Sequence, residues 1–235
     1  MEHISENIHQ LRSIIPPNVQ LIAVSKTKSI EEIREAIQAG QLRFGENKVQ
    51  ELTEKHQHLS GVEWHFIGHL QTNKVKYIAP FIQMIQTIDS LRLLEEINKH
   101  AQKHNRVIDC LMQIHIAREE QKFGFSESEI LHLLKNPKLK DLNHIRICGL
   151  MGMATYTEDQ NIIRHEFRHL AQLFKRIKQD YFASEVSFCE LSMGMSDDYK
   201  IAIEEGATMI RIGSTIFGKR IYTKNAADQT TTTDN

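Results

Sequence analysis

The chain has 235 residues, 40% of them hydrophobic and 25% charged, and its 29 Lys and Arg against 30 Asp and Glu leave a net charge of −1. That balance argues against a general nucleic-acid binder, which needs a basic excess or a basic stripe. No apolar run approaches the ~20 residues that cross a bilayer, and the length suits a single α/β barrel as readily as two small domains.

Apolar periodicity gives a regular alternation. An amphipathic opening helix, about Ile4 to Ser13, carries acidic residues and does not read as a signal peptide. "LIAV" from Leu21 is a strand of the kind buried on both faces in parallel sheets. A helix over Ile30–Ala39, stopped by Gly40, precedes "QLRFGEN", the helix "KVQELTEKHQHL", the strand "VEWHFIGHL" and the short helix "TNKVKYIAP". "MIQTID" is the fourth strand, and Ser90 caps the helix after it. "IDCLMQIHI" is the fifth; its following helix opens with Ser126 and Glu129 spaced as a capping box. The sixth strand is "IRICGLMGMAT", before a long helix from about Glu158 to Asp180. "VSFCELSMG", the helix "DDYKIAIEEG" and the strand "TMIRIGSTIFG" complete the series.

Eight strands alternating with helices, with no linker or composition break, predict a single (β/α)8 TIM barrel with an extra N-terminal helix over residues 1–222; a doubly wound open sheet is the alternative. Residues 223–235 form a polar tail of low complexity, expected to be disordered. The "KNPKLK" cluster, residues 135–140, reads as solvated surface. Cys110, Cys148 and Cys189 lie in apolar strand-like runs without metal-type spacing, which predicts three structural thiols in a reducing cytoplasm.

Barrel active sites lie where the strands end, and here the strands end in polar residues. Ile22, Val24 and Lys26 share one strand face, so Lys26 is expected to project into the barrel mouth, with Lys28 further out in the loop. A buried lysine is costly unless it is paired, neutralised or chemically used. It either pairs with a carboxylate or attacks a carbonyl to form a Schiff base. The ends of strands seven and eight, "SMGMSDDYK" and "GST", supply an anion site of the type barrels use for phosphate: hydroxyls of Ser192, Ser196 and Ser214, with Gly194 and Gly213 letting the backbone approach. A Schiff-base lysine facing a phosphate site suggests pyridoxal 5′-phosphate (PLP). Arg211, on the inward face with Met209 and Gly213, would stand by the pyridine nitrogen and, as a permanent cation, could not take its proton.

The motifs "AVSKTKS", "FGENKVQE", "WHFIGHLQTNKVKYI", "GLMGMAT" and "LSMGMSDDYKIAIEEGATMIRIGSTIFGKR" together resemble the YggS/PROSC family of PLP homeostasis proteins, whose barrel is that of the alanine racemase N-terminal domain. The resemblance implies that Lys26 holds PLP as a Schiff base, that Asn47 lies beside its ring, and that Ser192, Gly213 and Ser214 contact its phosphate with Met195 and Ser196 next to them. Arg211 matches the arginine facing the ring nitrogen, while His69 and Met151 line the pocket. Ser214 stands where many members carry threonine or alanine. The implied protein is a cytoplasmic, monomeric PLP carrier, with PLP-dependent apoenzymes as acceptors, no nucleic-acid or membrane partner and no robust catalysis. A PLP-dependent racemase and a Schiff-base aldolase are the competing functions; the missing second domain and the arginine count against the first. "HEFRH", from His165 to His169, matches a zinc-protease pattern, but both histidines fall off the apolar face of their helix and no third ligand is evident.

Overall fold

A computed structural model of the chain describes residues 4–118 and 123–218. Eight parallel strands, β1 (Gln20–Val24), β2 (Arg43–Glu46), β3 (Glu63–Phe66), β4 (Met84–Ile88), β5 (Ile108–His115), β6 (Ile145–Met153), β7 (Glu190–Ser192) and β8 (Met209–Ile212), pair in sequence order. β8 returns to β1, with Ile22 opposite Arg211, and the barrel is closed. Outside it run α1 (Ile4–Ile14), α2 (Ile30–Gln38), α3 (Val49–His58), α4 (Val75–Ile78), α5 (Leu91–Lys103), α6 (Glu127–Leu133), α7 (Gln160–Tyr181), α8 (Tyr199–Glu204) and α9 (Ser214–Phe217). Closure settles the choice between barrel and open sheet.

Local signals in the sequence become local geometry. Ser90 caps α5 by accepting from Leu93 N–H, and Ser126 and Glu129 form the reciprocal capping box of α6. Gly40, at φ +83°, ends the α2 segment in a conformation that favours glycine. The extra helix α1 is bound at both ends: Arg12 donates to the carbonyls of Ala39 and Gly40, and Asn7 donates to that of Ile216.

Two apolar clusters separate the inside of the barrel from the outside. Leu21, Ala23, Phe44, Trp64 and Phe66 belong to the large outer core under the helices. Ile22, Met84, Leu111, Cys148, Met151 and Met209 form a compact inner cluster. Alternation along β1 is thereby resolved: even-numbered residues point in, odd-numbered ones out.

Several strand readings overran, three of them by five residues or more. β3 stops at Phe66, although Ile67 still donates to the Glu46 carbonyl. β7 keeps only Glu190–Ser192, and Val186, expected inside that strand, is 89% exposed. β8 ends at Ile212, after which Ser214–Phe217 turns into a helix that buries Ile216 and Phe217. The short β7 also corrects the thiol expectation: Cys110 and Cys148 are buried, but Cys189 precedes the strand and is exposed. The "KNPKLK" segment is an exposed 3-10 turn over Pro137–Asp141. The 223–235 tail lies outside the described residues, among which no helix is long and apolar enough to cross a membrane.

Candidate functional site at the barrel mouth

The end of β1 treats its two lysines differently. Ser25 turns outward: its hydroxyl donates to Glu46 Oε1 at 2.6 Å beneath α3. Lys26 follows, half-buried, and Thr27 then takes a positive φ of 66°. Lys28 is tied to the rim, donating to the Phe217 carbonyl at 2.7 Å and to Glu32 at 3.0 Å, with its ammonium over the Phe217 ring.

Inside the barrel, polar side chains from four strands make a chain of hydrogen bonds. Arg211 donates to Ser192 Oγ at 2.6 Å and to the Gly152 carbonyl at 3.0 Å. Ser192 donates in turn to Gln86 Oε1 at 2.7 Å, and Gln86 meets His65 Nδ1 at 2.9 Å. Arg211 is 3% exposed; burial lowers its pKa to about 10, partly offset by the Asp198 charge, so it stays cationic at neutral pH. Burial drops His65 to about 3 and Arg43 adds to the effect, so His65 is neutral and its Nδ1 accepts from the amide. Met151, fully buried, lies opposite Ser192 in the β6–β7 register.

The chain of bonds engages Ser192 on both sides. A serine hydroxyl has one proton, and Ser192 gives it to Gln86 while accepting from Arg211. With these partners it supports the arginine.

The loops after β7 and β8 carry the other candidates. Gly194 has φ +93°, and a Cβ there would lie 2.6 Å from that of Ala202. Its glycine is therefore needed for the close turn into α8. Asp198 accepts from Met195 N–H, and Ser196 Oγ accepts from Gly213 N–H at 3.3 Å. These bonds fasten the two loops into one rim, on which Met195 and Ser214 are exposed. Gly213 packs beside Val24, where a Cβ would approach the valine Cβ to 3.4 Å; this links the rim to the strand that carries Lys26. Across the mouth, Asn47 is half-buried against Gly68, and His69 is partly exposed with Nδ1 3.1 Å from Asp89. Asn47 and His69 also line a groove of about 660 Å³ with Lys48, Phe66, Lys74 and Tyr77, beside α3.

The zinc-like pattern on α7 comes apart. His165 and His169 are exposed, whereas Glu166 is buried and accepts from the N–H and hydroxyl of Thr155.

Sequence reading missed His65 and Gln86, which sit within strands rather than at their ends. A glutamine in the middle of the apolar run "MIQTI" was the available signal. It also missed Lys55 of α3, 5% exposed, whose partners come from β2 and the β1 loop.

A model of the alanine racemase N-terminal domain family matches residues 1–221. A Pasteurella multocida protein named pyridoxal phosphate homeostasis protein is 39% identical over 231 residues, spanning 95% of this chain and 97% of its own length. The chain belongs to the pyridoxal phosphate homeostasis protein family. The Escherichia coli K12 member is 38% identical over 240 residues, covering 95% of this chain and all of its own. PipY of Synechococcus elongatus, solved with PLP bound, superposes with a TM-score of 0.83 at 35% identity, over 92% of this chain and all of PipY. Alanine racemase of Clostridium difficile shares the fold, with a TM-score of 0.75 at 12% identity, and the match takes in 94% of this chain but 57% of the racemase.

Proposed function

We propose that this chain binds PLP at the barrel mouth, holds it through Lys26 as a Schiff base formed with loss of water, and serves to keep free PLP available but low rather than to catalyse amino-acid chemistry. The donor set fits the group. Lys26 is a half-buried amine just past the end of β1, and Ser214 is exposed on the rim. Met195 and Gly213 lie on the two loops joined by the Ser196 Oγ–Gly213 N–H bond, and α9 opens directly after Gly213. Asn47 flanks the ring and Met151 forms the floor.

The observation that carries the non-catalytic reading is Arg211. Bound PLP supplies an electron sink, strongest when its ring nitrogen is protonated. Arg211 is a buried cation, held by Ser192 and Gly152, and it opposes a proton at that nitrogen. Three free cysteines support a cytoplasmic setting. The chain acts as a monomer whose PLP passes to apoenzymes. Adding PLP to the full chain is expected to give a visible absorbance band that Lys26→Ala abolishes. Persistence of the band in that variant would refute the assignment. Alanine racemisation at ordinary enzyme turnover, read by polarimetry, would instead support the racemase reading that the shared fold raises.

A further inference from the structure

Behind Lys26, on the far side of the strand from the mouth, lies a buried ionic cluster that the binding site does not itself need. Lys55 Nζ is 2.7 Å from each of three acceptors: Ser25 O, Glu46 Oε1 and Glu51 Oε1. An ammonium has three protons, so all are used. Glu51 Oε1 also accepts from Thr27 N–H at 2.6 Å, and Ser25 Oγ donates to Glu46 Oε1. The Ser25 carbonyl belongs to the peptide group before Lys26, and the Thr27 N–H to the one after it. Both peptide planes that set the Lys26 backbone are therefore held from α3. Thr27 is meanwhile kept at φ +66°, a conformation that non-glycine residues rarely adopt.

Burying such a cluster adds little net stability, because desolvating the charges offsets their attraction. Glu46 is fully buried, and its Oε2 has no hydrogen-bond partner among the described residues. Fixed geometry is what the arrangement offers in return.

Resting on the PLP reading above, we propose that Lys55, with Glu46 and Glu51, is a positioning device that fixes the backbone at Lys26 so that its amine meets the PLP aldehyde in one orientation. Glu51 gives the sharpest test because it is the partly exposed member, with 23% side-chain exposure. Glu51→Leu removes the acceptor for Thr27 N–H and for Lys55. Glu51→Gln keeps an amide oxygen that can accept from both.

The full-length chain is titrated with PLP, reading the visible absorbance band, the visible circular dichroism per bound PLP, and the melting temperature without PLP. Glu51→Leu is expected to raise the PLP dissociation constant about tenfold, as loss of a hydrogen bond would, and to weaken the dichroism per bound PLP. Glu51→Gln is expected to restore both to within about twofold of the parent. Lys55→Met is expected to act as Glu51→Leu does, more strongly. A Glu51→Leu protein that melts earlier but keeps the parental dissociation constant and dichroism would overturn the proposal, leaving the cluster a structural ion pair. Equal defects in Glu51→Leu and Glu51→Gln would overturn it too, since charge rather than placement would then matter. If the unaltered protein shows no visible band, the PLP reading itself fails, an outcome distinct from either.

Discussion

Gly68→Ala probes the packing that sets Asn47 at the mouth. A Cβ on residue 68 would lie 2.3 Å from the Asn47 carbonyl oxygen and 2.8 Å from its Cα and Cβ, roughly an ångström inside van der Waals contact. Neither side yields easily. Asn47 directly follows β2, and the Gly68 carbonyl is held by Thr87 Oγ1 at 2.6 Å. Gly68 is not among the glycines with positive φ, so alanine meets no backbone penalty and the whole cost is the clash. Overpacking of this kind costs ~1–3 kcal/mol. At about 2–4 °C per kcal/mol for a domain of this size, the midpoint should fall by roughly 2–12 °C. The displaced Asn47 should also weaken PLP binding several-fold. Differential scanning calorimetry and a visible PLP titration read the two effects separately. A variant that melts within about 1 °C of the parent and titrates like it would refute the packing argument.

Two further outcomes follow from buried groups. His65 is held neutral with its pKa near 3, against 6.5 for the free side chain. Below about pH 6.5 the unfolded chain binds a proton that the folded chain does not, so stability present above that pH is lost as pH falls toward 3. The loss should be about 2 kcal/mol between about pH 6.5 and about pH 4.5. Denaturant unfolding at those two pH values should show it in the parent, with a shallower dependence in His65→Gln; equal slopes would contradict the burial argument. Cys189 is exposed while Cys110 and Cys148 are buried, and burial pushes the Cys110 thiol well above its usual range and Cys148 up to about 12. Mass spectrometry after brief maleimide treatment of the native protein should therefore find one label, on Cys189, with two more appearing on unfolding. Native labelling of Cys110 would contradict the core assignment.

Much of the barrel was legible because most strands carry apolar residues and several helices their own start or stop, such as Ser90, Ser126 and Gly40. Period-2 alternation was enough to turn Arg211 inward, whereas Lys28, which shares the parity of Lys26, was set apart by lying further along the chain, where it is tied to the rim. The lengths of β7 and β8 were not legible. Whether Val186 or Ser214 joins a strand depends on what neighbouring chain lies alongside, and there the structure has an exposed loop and a helix. The Ser192–Gln86 bond was hidden for the same reason: Gln86 is 106 positions away in sequence. Likewise, the i,i+4 spacing of Glu51 and Lys55 suggests an ordinary surface pair, and only packing of α3 on the β1 loop makes it a buried clamp.

The central claim is that one particular amine at the mouth of this barrel holds PLP. Reduction of the PLP-loaded protein with borohydride, followed by peptide mapping of the pyridoxyl-modified lysine, tests it most directly. The account predicts modification at Lys26 and an unmodified Lys28, whose ammonium is spent on Glu32 and the Phe217 carbonyl. Modification at Lys28, or no stoichiometric modification of any lysine, would contradict it.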